Sequence, residues 1–354
     1  MSAAEGRPAK RARVASGAGA QSATTPAMVV APRRCCIIVP FRDLHAAQKR
    51  AAHLRRFVPH MREYLAALCG ERAARDGVSP DARLNDFSII IVEQSDDKRK
   101  FNRGKLLNAG FELAKREICA AARAAGGGPR ACAAALDGAS FVFHDVDLLP
   151  QPLIRALYGR LPAPGAPMHI ARCWNRYNNN PKYFGGVNAF RWRDFEKING
   201  FPNNYWGWGG EDDELINRVN AVGLRPARPP RAVIDAGNGA DPPIVDLEDM
   251  DVKQKIAFLK AEGRDWKCMV KNELLEEHAR TWKTNGLNCF AKDAVEAAME
   301  GDPARGVAPL PPPFAVRRAE ALDRLGGAGH GGHATKYTVE LGINGDRWDT
   351  VTRL

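Results

Sequence analysis

The stretch FVFHDVDLLP at residues 141–150 shows most directly how this chain is expected to fold. Its apolar start is typical of a buried strand, and the strand ends in acidic residues and a proline. Two similar runs come earlier, CCIIVPFRD at 35–43 and FSIIIVEQ at 87–94, and a helical segment follows each of them. Strands that alternate with helices in this way predict an α/β fold with a mainly parallel sheet.

A polar motif stands where each of the three predicted strands ends. The motifs are PFRD at 40–43, EQSDD at 93–97 and HDVD at 144–147. Ligands of parallel α/β sheets bind beyond the carboxyl ends of the strands. The three motifs therefore predict a binding site at that edge of the sheet.

Hydrophobic periodicity and turn residues predict the remaining elements. Apolar spacing predicts helices up to about residue 70, at 101–125, at 214–223 and within 252–280, and alternation predicts a closing strand at 336–343. The Ala/Gly-rich segment 124–140 is interpreted as a surface insertion, and the Pro/Gly-rich segment 300–334 as irregular.

The composition indicates a soluble globular protein, with 45% hydrophobic and 26% charged residues. A formal net charge of +11 is compatible with nucleic-acid binding. Much of the excess, however, lies near the N-terminus, and the motif-rich middle of the chain is acidic. Because of this distribution, nucleic acid is not the expected partner. A basic shell around an acidic site can equally attract a phosphate-bearing small molecule.

Residues 1–32 are rich in Ala, Gly, Ser and Pro and are predicted to form a disordered basic tail. The string PAKRARV in it resembles a nuclear-import signal, although short basic clusters are common in solvated tails. No apolar run is long enough to cross a bilayer, and no signal peptide or membrane anchor is visible. The eight cysteines show neither a CxxC pair nor zinc-site spacing.

The D-x-D in HDVDLLP suggests a metal site. Period-two alternation directs Asp145 and Asp147 the same way, towards one opening. Hard oxygen ligands suit Mg²⁺ or Mn²⁺, and such an ion can bridge a diphosphate. The alternative is a strand-end turn with two solvated aspartates. Asp246 and Glu248 in VDLEDMD are candidate partners for Asp147, but a charge run of this kind is usually a solvated face.

The stretch GFPNNYWGWGGEDDEL at 200–215 combines aromatic residues, glycines and four acids. Aromatic rings beside carboxylates are typical of a sugar site, where a carboxylate can also act as general base on an alcohol. Helix capping by the acids is an alternative, because negative charge is favourable at a helix N-terminus. Capping does not explain the preceding aromatic residues. Asp213 and Glu214 are assigned to the helix start.

Several of these strings resemble the β-1,4-galactosyltransferase family over about residues 35–290. The strings that carry the resemblance are PFRD, FNRGKLLNAGF, FVFHDVDLLP, YFGGVNAF, INGFPNNYWGWGGEDDELINR and TNGLN. HDVDLLP and the DLED string favour the xylosylprotein 4-β-galactosyltransferase branch. The resemblance implies a GT-A type nucleotide-sugar transferase fold, with helices flanking a central, mostly parallel mixed sheet. It also implies metal-dependent, inverting transfer of galactose from UDP-galactose to an acceptor sugar hydroxyl, and a Golgi location.

The resemblance implies roles for individual residues. The donor would be bound by Pro40, Phe41, Arg42, Phe101, Asn102, Arg103, Asp145, Val146, Tyr183, Gly185, Gly186, Gly209 and Gly210. Asp212 would be the general base, Glu211 would help hold the acceptor, and Trp208 would close over both substrates. Asp147 would ligate Mn²⁺. Where the family has histidine, or methionine with histidine, this chain has Asp246 and Glu248, so Mg²⁺ or Ca²⁺ should be better tolerated.

The resemblance also implies a domain organisation. A catalytic domain would span 33–300, with a UDP-binding half at 33–150 and a donor-sugar and acceptor half at 151–300. A Pro/Gly-rich segment and the closing strand would follow at 301–354. Two other functions stay open: transfer of N-acetylgalactosamine from its UDP-sugar, and glycan binding with little turnover. Tyr183 favours galactose, because smaller residues at that position in the family admit N-acetylgalactosamine.

Overall fold

The computed structural model describes residues 33–44, 46–177, 180–261, 267–290, 314–322 and 332–342. All of them belong to one compact unit, Ala31–Leu354. The predicted disordered tail at 1–32 and much of segment 301–354 lie outside the described residues.

A seven-stranded mixed sheet forms the centre of the fold, in the order β5-β6-β3-β1-β2-β9-β8. Strands β3, β1, β2 and β9 are mutually parallel, whereas β5, β6 and β8 add antiparallel pairs at the two sides. A separate antiparallel pair joins β4 to β7. The strands are β1 Arg34–Phe41, β2 Asp86–Gln94, β3 Ala139–His144, β4 Leu148–Pro150, β5 Met168–His169, β6 Val187–Phe190, β7 Ile244–Asp246, β8 Phe314–Ala321 and β9 Gly332–Leu341.

Helices cover both faces of this sheet. The α-helices in the described residues are α1 Arg50–Ala66, α2 Gly70–Arg75, α3 Arg103–Ala124, α4 Pro129–Asp137, α5 Arg155–Gly159, α6 Trp192–Lys197, α7 Glu211–Ala221, α8 Arg231–Ala236, α9 Val252–Ala261, α10 Lys271–Glu276 and α11 His278–Thr281. Alternate residues of β1 face opposite sides of the sheet. Ile37 therefore lies in one hydrophobic cluster with Phe57 of α1, and Ile38 lies in a second cluster with Leu107 of α3. The α/β fold class predicted from the sequence is confirmed.

Helix α3 lies unusually close to the sheet. A side chain at Gly110 would place its Cβ only 2.4 Å from a methyl carbon of Ile38 and 2.8 Å from one of Val92. Asn102 begins the helix, because its side-chain oxygen accepts the backbone N–H of Lys105 at 2.9 Å. This packing fixes the first residues of α3 near the carboxyl ends of β1 and β2.

The interpretation of segment 124–140 as a surface insertion is wrong in part. Residues Pro129–Asp137 form helix α4, which begins with a proline, and Cys132 and Leu136 are buried. Proline is favoured at the first turn of a helix, where its missing N–H has no intrahelical partner. The predicted closing strand does form, as β9, and it begins four residues before the predicted start at 336. The interpretation of segment 300–334 as irregular is wrong for its described residues, because Phe314–Ala321 form β8, which pairs with β9, and β9 itself begins at Gly332.

Candidate active site

The ends of β1 and β3 open into a cavity of about 340 Å³. Fifteen of the residues predicted for the site line it: Pro40, Phe41, Arg42, Phe101, Arg103, Asp145, Val146, Asp147, Tyr183, Trp208, Gly209, Gly210, Glu211, Asp212 and Glu248. Asn102, Gly185, Gly186 and Asp246 do not line the cavity but contact or adjoin residues that do. The structure therefore brings the PFRD and HDVD motifs and the GWGGEDD stretch into one site. The prediction is wrong for the third strand-end motif, EQSDD, because none of residues 93–97 lines the cavity. Its Asp97 instead lies behind the site, 3.4 Å from Nη1 of Arg42.

Arg103, the first residue of α3, joins the two acidic motifs. Its Nε donates to Asp145 Oδ1 at 2.8 Å, and its Nη1 donates to Asp212 Oδ1 at 2.9 Å. The same Nη1 lies 3.6 Å from Glu211 Oε1. Asn102 fixes the start of α3 to the segment around Asn203, because its side-chain amide donates to the Asn203 backbone carbonyl at 2.8 Å. One guanidinium group thus holds three carboxylates around the cavity.

The surroundings of Asp212 make its carboxylate a stronger base than that of an ordinary aspartate. Burial raises its pKa well above the usual range, while the positive charge of Arg103 acts in the opposite direction. Burial also raises the pKa of Asp145 and of Glu211. About a quarter of the Asp212 side chain (25%) stays exposed, so a second molecule can reach it. A carboxyl group with a raised pKa accepts a proton more readily than an ordinary aspartate.

Two glycines leave room for the Asp212 side chain and for Tyr183. A Cβ at Gly185 would lie 2.1 Å from Asp212 Oδ2 and 2.7 Å from a ring carbon of Tyr183. Gly186 has a φ of +73°, and a Cβ there would lie 2.9 Å from the Tyr183 hydroxyl oxygen. The Tyr183 ring packs against that of Tyr177, with centroids 4.4 Å apart. The YFGG string therefore shapes the floor of the site beside Asp212.

The Trp208 loop has a backbone that favours glycine at three positions. Gly207, Gly209 and Gly210 have φ angles of +98°, +104° and +100°, a region that residues with side chains rarely adopt. Trp208 itself is 44% exposed at the cavity rim. Its carbonyl accepts the backbone N–H of Cys268 at 3.1 Å. The Trp208 ring thus lies at the opening of the site, in a loop whose three glycines have backbone angles that other residues rarely adopt.

A second group of acids also borders the cavity, through Asp147 and Glu248. Asp147, Asp246 and Glu248, here called the acid cluster, can each offer one oxygen within 4.8 Å of the others. Antiparallel pairing of β4 with β7 sets Leu148 opposite Asp246 and thereby brings the two sequence motifs together. Carboxylate oxygens are the ligands that hard divalent cations prefer, so this donor set fits a metal ion.

Three positively charged side chains contact the acid cluster, and sequence reasoning did not identify them as site residues. Arg50, Arg176 and Lys255, here called the cation set, all line the cavity. Arg50 lies 2.7 Å from Asp147 Oδ2 and 2.6 Å from Glu248 Oε1. Arg176 contacts Glu248 at 3.0 Å and also pairs with Asp246, and Lys255 pairs with Glu248. These residues come from distant segments, so no local spacing could reveal them.

The cation set changes the acidity of the cluster. Burial on its own would raise the pKa of Asp147, but Arg50 and the other cations hold it well below the usual range. Burial, together with the negative charge of Asp147, raises the pKa of Asp246 to about 6. Asp147 is therefore a carboxylate that stays ionised, with positive charge already beside it.

Solved structures of similar fold define the class of the protein. The catalytic domain of *Drosophila* β-1,4-galactosyltransferase 7 in complex with xylobiose matches with a TM-score of 0.55 and 22% identity, over 88% of this chain and 95% of that chain. A mutant of the same *Drosophila* protein, in complex with manganese, UDP-Gal and xylobiose, matches with the same values. The chain therefore has the GT-A glycosyltransferase fold.

Sequence comparisons narrow this class to a family. A family model described as the N-terminal domain of galactosyltransferase matches residues 165–238. Mouse β-1,4-galactosyltransferase 1 is 33% identical over 208 residues, which are 58% of this chain and 41% of that protein. Mouse β-1,4-galactosyltransferase 4 is 31% identical over 262 residues, 72% of this chain and 57% of that protein. The chain belongs to the β-1,4-galactosyltransferase family and spans about half the length of these relatives.

None of the helices in the described part of the chain is both long and apolar enough to cross a lipid bilayer.

Proposed function

We propose that this chain is a metal-dependent, inverting glycosyltransferase that transfers galactose from UDP-galactose to a hydroxyl group of an acceptor sugar. The product would carry a β-1,4 linkage. The observation that supports this most is the single cavity in which Arg103 joins Asp145 of the D-x-D motif to Asp212 and Glu211. Family membership supports the same reaction.

Asp212 is assigned the role of general base. Its carboxylate removes the proton from the acceptor hydroxyl while the oxygen attacks the anomeric carbon on the face opposite the leaving UDP, which inverts the configuration there. Its raised pKa favours this proton transfer. Glu211 helps to hold the acceptor. Trp208, at the rim of the cavity, closes over both sugars and excludes the water that would hydrolyse the donor.

The donor is assigned to the side of the cavity formed by the ends of β1 and β3. Phe41, Arg42 and Phe101 line it and are assigned to the uridine, with the remaining predicted donor residues around the sugar and diphosphate. The acid cluster would hold the metal, for which Mn²⁺ is the first choice and Mg²⁺ or Ca²⁺ are alternatives. A divalent ion at this place would stabilise the charge that develops on the UDP leaving group.

The acceptor is proposed to be a xyloside. Two observations support this choice: the HDVDLLP and DLED strings, and the xylobiose in the structures of the similar *Drosophila* protein. N-Acetylglucosaminides are the comparison class.

The test measures UDP release by the purified chain with UDP-galactose, Mn²⁺ and a panel of xylosides and N-acetylglucosaminides. Release above donor hydrolysis is expected with at least one acceptor. Asp212→Asn should reduce transfer by at least about 100-fold, because a positioned base contributes roughly 10²–10⁴ to a rate, while UDP binding is retained. UDP-N-acetylgalactosamine, used as a second donor, tests the alternative transfer.

The result that would refute the proposal is UDP release no faster than donor hydrolysis with every metal and acceptor tried. Glycan binding in that case would indicate the alternative function of a glycan-binding homologue. Loss of UDP binding in Asp212→Asn would instead show that Asp212 acts on the donor.

A further inference from the structure

The acid cluster is electrically balanced by side chains of the protein itself. Asp147, Asp246 and Glu248 supply three negative charges, and the cation set supplies three positive charges in direct contact with them. The side chains of Arg176 and Lys255 are only 4% and 6% exposed, so solvent screens these contacts little. The cluster therefore does not repel an arriving phosphate as three bare carboxylates would.

Several arginines around the same cavity retain unused hydrogen-bond donors. Within the described residues, Nε of Arg176, Nη2 of Arg42 and Nη2 of Arg103 are buried and have no hydrogen-bond partner. All three residues line the cavity. A buried donor without a partner costs free energy, and ionised donors cost more than neutral ones. One of the three, Arg176, belongs to the cation set, and Arg42 and Arg103 lie around the same cavity. Spare guanidinium donors beside one cavity favour an anionic ligand with several acceptor oxygens.

We propose that the cation set binds the diphosphate of a nucleoside diphosphate directly, so that UDP binds to this chain in the absence of a divalent metal. The proposal rests on the proposed function for the identity of the nucleotide. Guanidinium groups match phosphate oxygens in geometry, and an ammonium group adds a compact positive charge. A divalent ion would enter a cluster that is already neutral, and would therefore contribute less to nucleotide binding than it does at a bare acidic site.

The competing interpretation is that the cation set only neutralises the acids and stabilises the fold. In that case all of its bonds would be used within the protein, and its removal would lower stability without selectively lowering affinity for phosphate. The two interpretations differ in one measurable quantity, the gain in affinity from uridine to UDP when no metal is present.

The experiment measures binding of uridine, UMP and UDP to the full chain by calorimetry, once with EDTA and once with Mn²⁺. In EDTA we expect UDP to bind at least about tenfold more tightly than uridine, because one charge-assisted hydrogen bond is worth about that factor. Arg176→Gln should reduce this gain about tenfold and leave uridine affinity unchanged. Arg193→Gln is the matched control, because Arg193 pairs with Asp137 at the surface and does not line the cavity.

A second variant provides the test if Arg176→Gln does not fold. Arg176→Gln combined with Asp246→Asn removes both charges of one ion pair and so leaves neither side uncompensated. UDP that binds no more tightly than uridine in EDTA, yet tightly with Mn²⁺, would overturn the inference and leave the proposed function standing. UDP affinity in EDTA that is unchanged in both variants would also overturn it. Failure to bind UDP under either condition would instead count against the proposed function.

Discussion

At the scale of single residues, the position of the Asp212 carboxylate depends on a neighbour that has no side chain. Arg103 attracts one carboxylate oxygen at 2.9 Å, and the other oxygen occupies the space that a Cβ at Gly185 would need. Gly185 is not required for its backbone angles, since its φ is not in the left-handed region. The glycine is required for space alone, which makes its role testable by adding one methyl group.

Gly185→Ala is expected to lower the rate of galactose transfer about 100-fold, because a displacement of about 1 Å at a reacting group can cost that much. The added methyl group would lie 2.1 Å from Asp212 Oδ2 and force the carboxylate to move. UDP affinity should fall much less than transfer, because the new methyl group also lies 2.7 Å from a ring carbon of Tyr183, a residue assigned to the donor. Gly128→Ala is the control, because a Cβ at Gly128 meets no atom within 4 Å. Transfer at the rate of the unmodified chain would show that Asp212 can move without loss of function.

Residues of the site that are adjacent in sequence could be predicted, and those that meet only in the fold could not. The D-x-D pair and the acids of GWGGEDDEL stand in short motifs whose composition indicates a ligand. Arg50, Arg176 and Lys255 stand in segments that look like ordinary charged surface, and only the pairing of β4 with β7 brings the acids to them. Non-local pairing of charges has no signature in sequence spacing.

At the scale of elements, the four acids in the first turn of α7 have different roles. Glu211 and Asp212 face Arg103 and the cavity, and Asp213 is exposed. Glu214, assigned from the sequence to the helix start, is 2% exposed and accepts from Arg218 Nε at 2.9 Å. Arg218 in turn donates to backbone carbonyls of the segments around residues 199–200 and 285. The helix is thereby fixed to the structure behind the site.

Glu214→Gln is expected to lower the free energy of unfolding by about 3 kcal/mol, since it leaves the charge of Arg218 buried without a counter-charge. The Arg218 side chain is 1% exposed, so water cannot replace the lost partner. The measurement is denaturant unfolding, with Asp213→Asn as the control on the same turn. A loss below about 0.5 kcal/mol, the size typical of surface substitutions, would show that Glu214 is not a structural residue.

At the scale of the whole molecule, the sheet is completed by a strand from near the end of the chain. Strand β9 pairs in parallel with β2 and separates it from β8, so it is an interior strand of the sheet. The backbone after β9 also holds the start of the site, because Lys105 of α3 donates to the Gly342 carbonyl at 2.6 Å. The alternating pattern of KYTVELGI predicted a strand, but neighbours in a sheet that lie about 240 residues apart leave no local signal.

Two valines that face each other across β8 and β9 test whether β9 is part of the core. Val339 of β9 is fully buried, whereas its partner Val316 of β8 is 42% exposed. Val339→Ala should lower the free energy of unfolding by about 2 kcal/mol, because it removes two buried methyl groups and leaves a cavity. Val316→Ala should change it by less than about 0.5 kcal/mol. Equal losses in the two variants, measured by denaturant unfolding, would mean that β9 is not packed into the core as described.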